Sequence, residues 1–162
     1  MKKFAIKNKY VILVDDNDYE IIKDFKMFIG VNKKYVMFIK DGKRYYLHRF
    51  LLDVNDSNIV VDHINGNPYD NRRLNLRLCT KKDNVHNIRV LSSHNTSGFK
   101  GVSFDKYTNK WRAQIHVNRK SIKLGRFSTK EEAAIAYDKA AKMYFGNFSC
   151  TNKMLGLLDY TE

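Results

Sequence analysis

The sequence predicts an α+β protein in three consecutive parts: an N-terminal β-hairpin, a strand, loop, strand and helix unit, and a three-stranded antiparallel sheet packed on one helix. Three stretches carry that expectation. In "YVMFIKDGKRYYLHRFLL", residues 35 to 52, Asp41-Gly42 separates two β-rich runs, and a type I′ turn needs a positive φ at both central residues. In "VVDHINGNPYDNRRLNLRLC", residues 60 to 79, a turn cluster divides two apolar runs. In "KWRAQIHV", residues 110 to 117, apolar and polar side chains alternate, the mark of a strand with one wet face.

Taken in order, "YVILVDD" reads as a strand, and "DNDYEIIKDF" offers Asp18 as the N-cap of a short helix carrying Ile21, Ile22 and Phe25. The hairpin over residues 35 to 48 follows, then a helical turn in "HRFLLDV". Residues 59 to 63 form a strand that runs into "NGNPYDN", and "LNLRL" forms its partner, with Leu74, Leu76 and Leu78 on one face and Asn75 and Arg77 on the other. Thr80 and Asp83 have the spacing of a capping box, which starts a helix at Lys81 that continues to about Val90.

Past the polar stretch "LSSHNTSG", the turns at Tyr107-Thr108-Asn109 and Asn118-Arg119-Lys120 mark out three strands. Trp111, Ala113 and Ile115 face inward, and Arg112, Gln114 and His116 face outward. Thr129 and Glu132 form a second capping box, and Gly146 ends the helix they start. Ala133, Ala136, Tyr137, Ala140, Ala141 and Tyr144 make a small-residue stripe suited to a sheet. The expected organisation is a support region over 1–50, a core module over 51–91, a linker over 92–98, a sheet domain over 99–152 and a tail over 153–162.

Composition narrows the function. Thirty Lys and Arg against 17 Asp and Glu give a net charge of +13, which points to a polyanion, with nucleic acid foremost. The basic residues are spread among strands and turns rather than along one amphipathic helix, so a membrane surface is not the expected partner. No apolar run reaches the ~20 residues of a membrane span, and a cytoplasmic location is expected. Cys79 and Cys150 stand singly and are expected as reduced thiols.

Cutting a phosphodiester needs a base to make hydroxide and a divalent ion to absorb charge at the phosphate. His63 suits the base, Asp62 beside it is a hard oxygen ligand, and an Asn on the following helix adds a carbonyl oxygen. Asn84 and Asn87 share a helix face, and His86 lies between them, so the choice of ligand on that helix stays open on spacing alone.

The stretch "VVDHINGNPYDNRRLNLRLCTKKDN" resembles the HNH homing endonucleases of the ββα-metal fold, in the variant with Asn as the last ligand. The resemblance implies a metal-dependent, phage or bacterial DNA endonuclease acting in the cytoplasm. It implies His63 as general base, Asn75 as the residue that pins the loop and orients it, and Asp62 and Asn84 as ligands of Mg²⁺ or Mn²⁺. Arg72, Arg73 and Arg77 would hold phosphates.

The C-terminal part, with "SGFKGVSFDKYTNKWRAQI" and "KLGRFSTKEEAAIAYDKAA", resembles the Apetala-two/ethylene-response-factor (ERF-like) DNA-binding domain. That likeness implies a sheet lying in the major groove and contacts through Lys100, Ser103, Arg112, Gln114, His116 and Lys123. Together the two implied modules describe a site-specific enzyme that nicks double-stranded DNA as a monomer or transient dimer, with no membrane or small-molecule cofactor. The competing reading is a non-catalytic, sequence-specific regulator.

Overall fold

The structure is a computed structural model that describes residues 1–6, 9–31, 34–81, 84 and 89–161. It divides into two compact units, Met1–Asn84 and Val85–Glu162.

The first unit opens with an antiparallel pair, β1 (Lys2–Ile6) and β2 (Tyr10–Val14), of which only the second is legible as a strand in the sequence. Helix α1 (Asp16–Ile22) follows, then a three-stranded antiparallel sheet of β3 (Met27–Ile29), β4 (Val36–Lys40) and β5 (Lys43–Tyr46), and helix α2 (Leu47–Leu51). Asp41 and Gly42 have φ of 50° and 71°, as the turn between β4 and β5 requires. Ile6, Ile12, Val14, Ile22, Val36, Phe38, Leu47 and Leu51 form one buried core. Each such side chain contributes about 1.5–3 kcal/mol through the apolar surface it removes from water. Phe25 lies just beyond α1 and stacks on Phe38 at 4.7 Å.

Asp18 does not cap α1. Asp15 occupies the N-cap position, and Asp18, 2% exposed, lies inside the helix and takes a forked ion pair from Arg73 at 2.8–3.2 Å. The other oxygen-rich group of the turn, Asp15, accepts from the Arg73 backbone N–H at 2.8 Å.

Strands β6 (Val60–His63) and β7 (Leu76–Cys79) pair antiparallel, with Asp62 opposite Arg77 and His63 opposite Leu76. A 3₁₀ turn over Arg73–Asn75 precedes β7 and breaks the alternation expected from "LNLRL". Leu74, in that turn, is exposed, as is Leu78 of β7, whereas Leu76, Cys79 and Asn75 are buried. The connecting loop docks on β2: Leu13 N–H donates to Tyr69 O at 2.9 Å, and Asn71 N–H donates to Leu13 O at 2.8 Å. After β7, Lys81 and Asn84 are helical, and Asn84 N–H donates to Thr80 O at 3.1 Å. Asp83, His86 and Asn87 lie outside the described residues, so the Thr80–Asp83 cap does too; Arg89 and Val90 are not helical.

The second unit is an antiparallel sheet of β8 (Val102–Asp105), β9 (Lys110–Val117) and β10 (Lys120–Phe127), with β9 central, packed on helix α3 (Lys130–Phe145). Val102, Ala113 and Ile115 are buried, as are Ala133, Ala134, Tyr137, Ala140 and Ala141 of α3. Both halves of the Thr129–Glu132 capping box form, and Gly146 ends the helix at φ 50°. The stripe differs from expectation at its C-terminal end: Tyr144 is exposed, and Asp138 is fully buried. Asp138 faces the C-terminal segment, where it accepts from the Asn152 backbone and side chain at 2.7 and 2.9 Å and from Lys153 N–H at 3.0 Å. Gly101, at φ +76°, lies so close to Tyr137 that an added Cβ would stand 1.9 Å from its ring, so only glycine fits.

Candidate functional site

His63 is the last residue of β6 and only 5% exposed. Its Nε2 lies 3.3 Å from Asn71 Oδ1, while the Asn71 amide nitrogen donates to Pro68 O at 3.3 Å. That amide orientation presents an acceptor to Nε2 and so favours the tautomer of the neutral ring that carries its proton there. Burial holds the His63 pKa below the usual histidine range, against the opposing pull of Asn71, Asp62 and Asp70.

Two rings from the preceding sheet region pack on it. His48 of α2 meets it edge-on at 5.2 Å, and Tyr35 stacks at 6.3 Å with the planes 20° apart. Tyr35 also contacts His48 at 5.0 Å. Burial, reinforced by His63 and Arg49, pushes the His48 pKa down to about 3, so its ring is neutral at working pH.

Asn75 ties the loop after His63 together. Its Oδ1 accepts from Asn65 N–H at 2.9 Å and its Nδ2 donates to Asp70 O at 2.7 Å. Its backbone carbonyl accepts from Ile64 N–H at 2.9 Å. Asp70 is gripped by Arg72 at 2.6–2.7 Å and by Asn65 at 2.8 Å, and the Arg72 hydrogen bonds hold its carboxyl below the usual range.

Asp62 is 9% exposed and accepts from Arg77 Nε at 2.9 Å and Nη2 at 2.6 Å, both through Oδ2. The three arginines singled out for phosphates thus each meet a carboxylate of the chain: Arg72 on Asp70, Arg73 on Asp18 and Arg77 on Asp62. Arg73 keeps 54% of its side chain exposed and Arg77 only 14%, so the first remains open to a phosphate and the second is committed to Asp62.

The oxygen donors expected for a divalent ion are the carboxylate of buried Asp62 and the amide of Asn84, which is half-buried. Both are hard oxygen donors, and a small set of them fits Mg²⁺, which keeps waters and uses few protein ligands. Among the described residues, no three His, Cys, Asp or Glu side chains gather as a metal cage. In the structure the Asp62 carboxylate is paired with the Arg77 guanidinium.

On the second unit, Ser103 and Arg112 are cross-strand partners, as are Gln114 and Lys123. Arg112 Nη2 lies 3.3 Å from Ser103 Oγ. His116 and Lys123 are exposed, and Ser103, Arg112 and Gln114 are half-buried. Lys100 is half-buried at the sheet's entry, where its backbone N–H and C=O both bond to the Asn152 side chain, at 2.6 and 3.2 Å. Burial holds its ammonium below the usual lysine range. Asp105, also on this sheet, pairs with Arg126 at 2.9 Å.

Sequence reasoning missed Tyr35, Asp70 and Asn71 and left His48 unassigned. Asp70 and Asn71 stood in view within the turn cluster, but nothing local marks a tyrosine on another sheet as a neighbour of His63.

Residues 54–86 match the family described as HNH endonuclease, and residues 97–147 match the AP2 domain. An uncharacterized HNH endonuclease of Acanthamoeba polyphaga mimivirus is 30% identical over 141 residues, which cover 84% of this chain and 71% of that protein. Protein 3.8 of Escherichia phage T7 is 44% identical over 55 residues, 34% of this chain and 45% of its own. APETALA2-like protein 2 of Oryza sativa subsp. indica is 35% identical over 95 residues, 56% of this chain and 22% of its own.

Proposed function

Because the chain belongs to the HNH endonuclease family and carries an AP2 domain after the nuclease module, we propose that it is a homing-type, metal-dependent enzyme that nicks double-stranded DNA at a selected site. The observation that carries this reading is the buried His63, fixed by Asn71 and set beside Asp62 at the end of β6.

In the mechanism, His63 takes a proton from water at Nδ1, and the hydroxide attacks phosphorus as the bond to the leaving oxygen breaks. Asn71 holds the Nε2 proton and with it the ring orientation; Asn75 keeps the loop that carries Asn71 closed on β7. Asp62 and Asn84 would hold Mg²⁺ or Mn²⁺, which when bound supplies positive charge against the charge that develops on the phosphate. Arg72 and Arg73 orient the strand through their exposed faces.

The outer face of the C-terminal sheet selects the site. Arg112, Gln114 and Lys123 are side chains that reach base edges in a major groove, and Lys100, Ser103 and His116 flank them. The region before residue 51 supports the active site through β2 and through Asp18.

Incubating the purified protein with supercoiled plasmid and phage genomic DNA tests the reading. Relaxed circles are expected with Mg²⁺ or Mn²⁺ and none with EDTA. Salt-sensitive binding without scission in either metal would replace the nuclease with a regulator.

A further inference from the structure

Beside the outer face of the second unit's sheet lies a cleft of ≈350 Å³ whose walls come from two sources. Lys100, Gln114 and His116 belong to the sheet and its entry, whereas Ser92 and His94 belong to the segment that precedes the domain. Sequence alone marks that segment as a polar linker. In the structure its end is fastened: His94 N–H donates to Ser92 Oγ at 3.3 Å, Asn95 Nδ2 to Phe99 O at 2.7 Å and Gly98 N–H to Asn95 Oδ1 at 2.8 Å. Ser97, buried beneath it, lies 2.9 Å from Val102 O at the start of β8.

Among the described residues, the walls carry donors and no acid. Each of the five wall residues named carries an N–H or O–H donor, and among the described residues lining the cleft there is no carboxylate. Residues 100 to 127 contain eight Lys or Arg against a single acid, Asp105, which is already paired with Arg126. A group that only accepts hydrogen bonds and carries negative charge complements such a surface.

We infer that residues 92–95 form a fixed arm which, with the sheet, makes a slot for one backbone phosphate of duplex DNA, and that His94 donates to that phosphate. This rests on the reading of the sheet as the DNA-binding face and adds to it a contact from outside the domain's own strands. The arm positions the sheet on the duplex without reading bases.

The test is equilibrium binding of the full chain to a fluorescent, mixed-sequence DNA duplex in EDTA, with KCl varied. His94→Glu sets a carboxylate in the slot; Met143→Glu adds the same charge on α3, where the side chain is 72% exposed. A phosphate in the slot makes His94→Glu lose about tenfold or more in affinity while Met143→Glu loses less than about twofold, since a distant surface charge is screened. His94→Lys then binds more tightly, and its slope of log affinity against log salt steepens by about 0.9, one further phosphate neutralised. Both side chains are exposed, so the fold is kept, and far-ultraviolet circular dichroism checks it. Equal losses in the two glutamate variants, or an unchanged slope in His94→Lys, would overturn the slot. Since no cleavage is measured, that result leaves the nuclease reading standing, and a failure to cut leaves the slot standing.

Discussion

The rings of His48 and His63 meet edge-on, 5.2 Å apart, although one belongs to the helix after the hairpin and the other to the last position of β6. Their contact ties the region before residue 51 to the base of the proposed reaction. Tyr35 packs against both rings.

Tyr35 serves that contact through its ring face, and no step in the mechanism uses its hydroxyl. Tyr35→Phe should cut DNA at close to the wild-type rate. Tyr35→Ala frees the His63 ring and should lower kcat by about tenfold, because misplacing a catalytic group is costly even when binding is intact. Comparing kcat with the DNA dissociation constant checks this; a matching fall in affinity would assign Tyr35 to binding instead.

His48 makes stability depend on pH. Its folded pKa of about 3 lies below that of an unfolded histidine, ~6.5, so the unfolded chain binds the proton first. This contribution to stability is complete above about pH 6.5 and is lost as the pH falls from there towards 3, by up to about 1.4 kcal/mol per unit. Urea unfolding between those limits should show a shallower pH dependence in His48→Phe than in the wild type. Parallel curves would contradict the assignment.

Arg77 neutralises Asp62 in the structure, and the two sit opposite each other across β6 and β7. Removing it leaves a largely buried carboxylate without that cation, at a cost of about 3 kcal/mol. A divalent ion on Asp62 offsets part of the loss. Arg77→Ala should therefore have a lower Tm than the wild type in EDTA and gain more from Mg²⁺ or Mn²⁺. Equal metal-induced shifts in both proteins would argue against Asp62 as a ligand.

Local chemistry explains what was legible in the sequence. Asp41-Gly42 and the Thr129–Glu132 box are complete within a few residues, and the structure has the turn and the helix they specify. Asp18 is not distinguishable as a non-cap from local sequence, because Asp15, Asp16 and Asp18 all offer a capping oxygen, and its actual partner, Arg73, lies 55 residues away. Leu74 departs from the inner face because it sits in a 3₁₀ turn that interrupts the period-two alternation; the exposure of Leu78, within β7, has no such explanation. The motif residues His63 and Asn75 are close in sequence and are joined through one loop, whereas Tyr35 and His48 arrive from other elements.

The central claim is that His63 generates the nucleophile. Cleavage of plasmid DNA in Mg²⁺ by the wild type and by His63→Ala, at protein concentrations that saturate the DNA, tests it most directly. The account predicts a loss of about 10²–10⁴-fold in rate with the dissociation constant for DNA changed by less than about twofold. A His63→Ala protein that cuts at the wild-type rate, or that loses cutting only because it no longer binds, would contradict it.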